Sequence, residues 1–125
     1  LVHNKQFKTA RLALKKALMK EPDNIIAKNG LSYIDLCEIK SNEFFDVAQR
    51  QYKEENYASA IEYCNRAIDF YHNGPAIAKL KAMSYEKELN YQGAIKYYNQ
   101  YLSFSPNASD KEAILKKIAK FKKKI

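Results

Sequence analysis

The sequence predicts an all-α fold, an α-solenoid of antiparallel helix pairs stacked side by side and closed by a C-terminal helix. Three observations carry that expectation. Three Gly and three Pro among 125 residues leave little material for hairpin turns or phosphate-cradling loops. Apolar residues recur at helical spacing, at i, i+3, i+4 and i+7. The chain also repeats itself at a period of 34, so that residues 53–71 fall on 87–105. Lys53, Glu54, Asn56, Tyr57, Ala60, Ile61, Tyr63, Asn65 and Phe70 then meet Lys87, Glu88, Asn90, Tyr91, Ala94, Ile95, Tyr97, Asn99 and Phe104. That is nine identities in nineteen positions, where chance gives about one.

Taken in order, Phe7, Ala10, Leu14, Ala17 and Leu18 make one helical stripe that ends before Pro22. Ile26, Leu31, Ile34 and Cys37 make a second stripe over 24–39. A break is read at Lys40-Ser41-Asn42, with Ser41 capping a new helix that carries Phe44 and Phe45. The rival is one helix from about 24 to 54, since Ile34, Cys37, Ser41, Phe45, Ala48 and Tyr52 keep one continuous stripe. The break is preferred and brings the expected total to about seven helices.

Asn56 and Asn90 stand where an Asn side chain caps free backbone N–H groups, just before Tyr57, Ala60, Ile61, Cys64, Ala67 and Ile68 and their counterparts. Asn73-Gly74-Pro75 and Ser105-Pro106-Asn107 end the helices that follow. Ser109 and Glu112 form a capping box ahead of a last stripe, Ile114, Leu115, Ile118, Phe121 and Ile125, on a Lys-covered helix. The expected organisation is a single domain over 1–125: a partial repeat 5–40, repeats 41–74 and 75–108, and a capping helix 109–124. Each hairpin has more apolar surface than it can bury alone, so neighbours must stack.

A 34-residue helix–turn–helix period with small residues at the crossing resembles the tetratricopeptide repeat (TPR) family. With Ala60 on that family's central Ala, Phe44 takes its early aromatic position and Val47-Ala48 its Leu-Gly pair. Tyr57 and Ala67 take its second-helix aromatic and its late Ala. Ala82, Tyr85, Tyr91, Ala94, Tyr98 and Pro106 match in the next copy, whereas Tyr101 stands where the family has Ala and implies packing there that is looser or adapted to a different neighbour. The resemblance implies a right-handed solenoid whose first helices line a concave, peptide-binding groove. By that alignment the groove residues are Phe45, Asp46, Gln49, Tyr52 and Lys53, then Lys79, Leu80, Met83, Glu86 and Lys87, with Asn29 and Tyr33 extending the row. Such a surface offers aromatic and Met contacts to apolar side chains and lysines to a carboxylate or acidic segment. Some family members hold the terminal carboxylate of heat-shock proteins. The matching positions here are Asn29 and Tyr33, Asp46, then Ala76 and Leu80; the cations are missing and Asp46 repels, so that partner is not expected.

The formal charge is +8, distributed as +6 over 1–20, −3 over 21–109 and +5 over 110–125. Lys outnumbers Arg 19 to 3, which suits solvated helix faces better than nucleic-acid recognition, so nucleic acid is not an expected partner. The basic C-terminal helix (Lys116, Lys117, Lys120, Lys123 and Lys124) remains a candidate for docking to anionic lipid or a partner's groove. No stretch is apolar enough for a membrane span. Cys37 and Cys64 fall on apolar stripes, too few for a disulfide framework or four-thiolate zinc site, and tilt the expectation toward a reducing, cytoplasmic compartment.

His3 and His72 lack a nucleophile or acid at motif spacing, and Glu54-Glu55 and Glu86/Glu88 read as solvated carboxylates. Asn107-Ala108-Ser109 is a formal glycosylation sequon whose Ser reads more simply as a helix cap. The expectation is therefore not an enzyme, with no cofactor and no metal, but a scaffold for a peptide or partner protein. Electrostatic docking to anionic lipid or nucleic acid through the Lys-rich C-terminal helix, and self-association into a homo-oligomer, are the alternatives. A start at Leu1, without Met or a leader, reads as a fragment or processed form of a longer protein.

Overall fold

The computed structural model describes residues 4–71 and 74–125. His3, His72 and Asn73 lie outside the described residues. Among the described residues six helices follow one another: α1 (Asn4–Lys20), α2 (Ile25–Lys53), α3 (Tyr57–Phe70), α4 (Pro75–Lys87), α5 (Tyr91–Phe104) and α6 (Lys111–Lys122). Among the described residues there is no strand.

The expected break at Lys40-Ser41-Asn42 does not occur. α2 is one helix of 29 residues, about 43 Å long at 1.5 Å per residue. Its buried residues Ala27, Ile34, Cys37, Ser41 and Ala48 run along one face without a change of phase. Both α1 and α3 lie antiparallel on that face, end to end. The Phe7 ring, near the start of α1, meets the Tyr71 ring at the end of α3, with centroids 4.9 Å apart. A helix break would open a gap where the two meet. Ser41 is therefore no cap: it is fully buried, and its hydroxyl donates to the Ala67 carbonyl oxygen at 2.7 Å. The proposed repeat boundary between 40 and 41 falls inside α2, and among the described residues the helices number six, not seven.

At the other end of α1 the chain turns through Glu21–Asn24, and the Asn24 side chain accepts from the Ala27 N–H at 3.0 Å. Gly30 admits Leu14, whose Cδ1 would stand 2.9 Å from a Cβ added there. Arg11 ties the pair together across its edge, at 2.6 Å from Asp35 and 3.1 Å from Glu38.

The 34-residue repeat is reproduced in the backbone bonds of its turns. α3 and α5 are both 14 residues long and begin 34 residues apart. At the preceding turns, the N–H groups of Glu54 and Glu88 donate to the carbonyls of Arg50 and Ser84. Those of Asn56 and Asn90 donate to Gln51 and Tyr85. Between them Glu55 and Leu89 take φ values of 65° and 60°, the left-handed conformation that reverses the chain. The two caps differ. Asn90 accepts from the Gly93 N–H at 3.0 Å as expected, whereas Asn56 makes no side-chain cap bond and donates instead to Gln51 Oε1 at 3.2 Å.

Helix pairs pack through small residues. Ala48, Ala60, Ala82 and Ala94 have no accessible surface, which lets neighbouring backbones approach closely. Phe7, Ile34 and Cys37 join α1 to α2. Ala48, Cys64, Ala67, Ile77 and Leu80 join α2, α3 and α4. Ala82, Ala94, Tyr98, Ile114, Ile118 and Phe121 join α4, α5 and α6. Burying each Ile or Phe contributes about 1.5–3 kcal/mol. Lys81 is buried with its ammonium 3.9 Å from the centre of the Tyr97 ring, a cation held on an aromatic face.

α6 departs from expectation at its start. The N-cap position belongs to Asp110, without a side-chain cap bond, so the Ser109–Glu112 capping box does not form. The Asp110 carboxylate is taken elsewhere, by Lys79 at 2.7 Å and by the Tyr101 hydroxyl at 2.7 Å. Of the two expectations for Tyr101, looser packing or adaptation to a different neighbour, the structure shows the second: its hydroxyl bonds Asp110 at the start of α6.

Candidate functional site

α2 and α4 run in the same direction, and their facing residues leave two adjoining hollows. One, of about 290 Å³, is lined by Phe45, Gln49, Ala76, Lys79, Leu80 and Met83. The other, of about 260 Å³, is lined by Gln49, Tyr52, Lys53 and Leu80. Gln49 and Leu80 belong to both, so the hollows form one cleft along the pair. On α2, Phe45, Gln49 and Tyr52 recur at i, i+4 and i+7. On α4, Ala76, Lys79, Leu80 and Met83 do so at i, i+3, i+4 and i+7, which puts each set on one helical face. A larger hollow of about 640 Å³ lies beside α1, and among the described residues its lining (Ala13, Lys16, Ala17, Met19 and Lys20) comes from that one helix.

Of the groove residues expected from sequence, the structure brings together Phe45, Gln49, Tyr52, Lys53, Lys79, Leu80 and Met83. Lys87 borders the same cleft: burial pushes the Tyr52 phenol up, and the charge of Lys87 acts on it in the opposite direction. Tyr52 packs edge-on against Tyr57, centroids 5.3 Å apart, so its ring is held while one side faces the cleft. Phe45 and Tyr52 also pack on the core cluster, and therefore serve as wall and filling at once.

Asn29 and Tyr33 are not part of this cleft. Because α2 does not break, they keep the helical phase. Tyr33 points about 120° away from Phe45 and Asn29 about 160° away, one to two dozen ångströms along the axis. Tyr33 is 62% exposed and shares its surface with exposed Ile26 and Leu36. Their inclusion depended on a restart of the helix at Ser41.

The charges of the cleft are partly spoken for. Lys79 is paired with Asp110 and also lies 5.5 Å from the Tyr101 ring centre. The hydrogen bond from Lys79, then that from Tyr101, holds the Asp110 carboxyl below its ordinary range; bonding to Asp110 raises Lys79. Glu86, expected as a solvated carboxylate, accepts the hydroxyl of buried Tyr98 at 2.6 Å and pairs with Lys117 at 3.2 Å. Burial first, and the Glu86 bond second, push the Tyr98 phenol well up. These partners lie 31 residues apart in the chain for both ion pairs, and no spacing motif announces them.

In the basic helix the five lysines divide. Lys117 is turned inward to Glu86, and Lys124 lies 5.1 Å from the Tyr91 ring centre. Lys116, Lys120 and Lys123 are exposed and, among the described residues, form no ion pair. Cys64 is fully buried, and burial pushes its thiol up to about 12. Among the described residues no three side chains of the His, Cys, Asp or Glu type converge as metal ligands do, and no helix is long and apolar enough to cross a membrane.

No protein-family model matches the sequence, and comparison with curated proteins likewise gives no match.

Proposed function

We infer that the chain is a non-catalytic scaffold of the TPR kind, a short solenoid that holds a peptide or a segment of a partner protein between its first helices. The observation that supports this most directly is the cleft itself. It is lined by one set of side chains from α2 and one from α4, helices whose ends and turns correspond at a 34-residue interval. A cleft with aromatic, aliphatic and Met walls and no reactive group suits recognition of side chains better than chemistry on a substrate. Asp46, exposed beside Phe45, speaks against a ligand that ends in a carboxylate at that position.

The experiment is affinity capture with the full chain and with Tyr52→Ala combined with Met83→Ala. Loss of the specifically retained proteins from the double variant is expected. A variant that retains every one of them, while keeping its helix content, sinks the groove reading.

A second reading has its own observation. Lys116 and Lys120 of α6, and Lys123 directly after it, are exposed without acidic partners among the described residues, so the helix can also approach an anionic surface. Binding to phosphatidylserine vesicles that disappears when these three are changed to Gln, and that weakens steeply with salt, would favour it.

A further inference from the structure

We propose that the cleft between α2 and α4 takes an acidic segment bearing one bulky apolar side chain. That side chain enters the hollow of Phe45, Leu80 and Met83, and the carboxylates beyond it meet Lys53 and Lys87. This rests on the scaffold reading and adds the chemistry and direction of the ligand.

The charges left unpaired along the cleft carry the argument. Five charged residues along it could set the preference of a ligand, and the structure removes two from play. Lys79 is neutralised by Asp110. Glu86, on the same helix, is satisfied by Tyr98 and Lys117. What remains is Asp46 beside Phe45 at one end, and Lys53 with Lys87 at the other; all three are exposed and, among the described residues, have no ion-pair partner. Lys53 and Lys87 are the last residues of α2 and α4, 34 apart, so each helix contributes the same cation at the same end. Glu54 and Glu88 follow immediately but are rotated by about 100° around the helix axis, away from the face that carries the lysines.

The cleft is thus apolar in its middle, positive where α2 and α4 end and negative beside Phe45. A segment laid along it gains from carboxylates at the lysine end and loses from them at the Asp46 end. The Tyr52 ring and the Gln49 amide lie between the two, where a ligand backbone passes. The cations lie on flexible stems at the rim, so they select by charge and direction, while the buried apolar contact supplies most of the affinity.

The test is selection from a phage-displayed library of random peptides on the immobilised full chain, followed by fluorescence anisotropy with labelled synthetic copies of the winners. Enriched peptides are expected to carry a large apolar residue with Asp or Glu clustered on one side of it. Their binding should fall about tenfold in Lys53→Glu with Lys87→Glu, fall again when the peptide sequence is reversed, and stay unchanged in Lys116→Glu with Lys123→Glu. Both lysines are exposed, so circular dichroism should show an unaltered helix content. Peptides that need Tyr52 and Met83 but show no acidic excess, or ignore the change at Lys53 and Lys87, overturn this proposal and leave the scaffold reading standing. Failure to enrich any peptide, or binding indifferent to Tyr52→Ala with Met83→Ala, overturns both.

Discussion

The Ser41 hydroxyl, buried midway along α2, donates to the carbonyl oxygen of Ala67 on α3 at 2.7 Å. That carbonyl also accepts the backbone N–H of Tyr71, so one oxygen holds the end of α3 against the middle of the long helix. Ser41→Ala removes a buried donor but leaves the carbonyl one partner, and a loss of about 1 kcal/mol is expected in urea unfolding. Ser41→Pro interrupts the helix itself and should cost about 3 kcal/mol or more. Near-equal effects of the two would contradict a continuous α2.

Glu55 and Leu89 occupy the same left-handed position in the two turns, a conformation that costs a side-chain-bearing residue about 1–2 kcal/mol. Glycine relieves that cost and gives back part of it through the freer unfolded chain. Leu89 is 69% exposed, so little packing is lost with its side chain. Leu89→Gly and Glu55→Gly should each stabilise by about 0.5–1 kcal/mol, read as a rise in the thermal midpoint, and the two gains should add.

Gly93 sits where a Cβ would come within 2.8 Å of two ring carbons of Tyr85, which is stacked on Tyr97 with centroids 5.5 Å apart and planes 5° from parallel. Two stacked rings cannot retreat as a chain end can. Gly93→Ala should therefore destabilise by about 1–3 kcal/mol in spite of alanine's better helix propensity. The corresponding residue of the first unit is Ser59, which faces no tyrosine at the matching place, since Gln51 stands there. Ser59→Ala should change stability by no more than about 0.5 kcal/mol.

Asp110 fastens the start of α6 to Lys79 and Tyr101, and its carboxyl is held below the ordinary value of 3.8. A depressed carboxyl favours the folded state fully above that value, and the contribution fades as the pH falls through the lower, folded-state value. Asp110→Asn should accordingly be less stable than the parent chain at neutral pH, with the difference closing below about pH 4. Denaturant titrations of both proteins across the acid range check this; a difference that stays constant down to the most acidic point would show that the ion pair is not its source. Hydrogen exchange should locate the loosening in α6.

Much of the architecture was readable from residue order, because it depends on local chemistry. The turns before Asn56 and Asn90 and the small Ala60 and Ala94 at the crossings are properties of short stretches, and their period of 34 is visible without coordinates. Seven of the twelve expected groove residues line the cleft for the same reason: helical spacing alone puts Phe45, Gln49 and Tyr52 on one face and Lys79, Leu80 and Met83 on another. Lys-Ser-Asn at 40–42 looked like a helix start because Ser and Asn cap helices by local bonds. The continuous stripe through Ile34, Cys37, Ser41 and Ala48 was equally visible, and local signals could not choose between the two.

Sequence by itself determined that the chain is helical, that it is built on a duplicated hairpin and which faces of those helices are apolar. Tertiary structure alone decided that α2 continues, because α1 and α3 abut through Phe7 and Tyr71 and together need one unbroken surface beneath them. It also decided where the charges of the cleft go: Asp110 comes to Lys79, and Lys117 to Glu86, only once α6 packs against α5. Partners 31 residues apart meet through packing, and packing is a property of the whole chain.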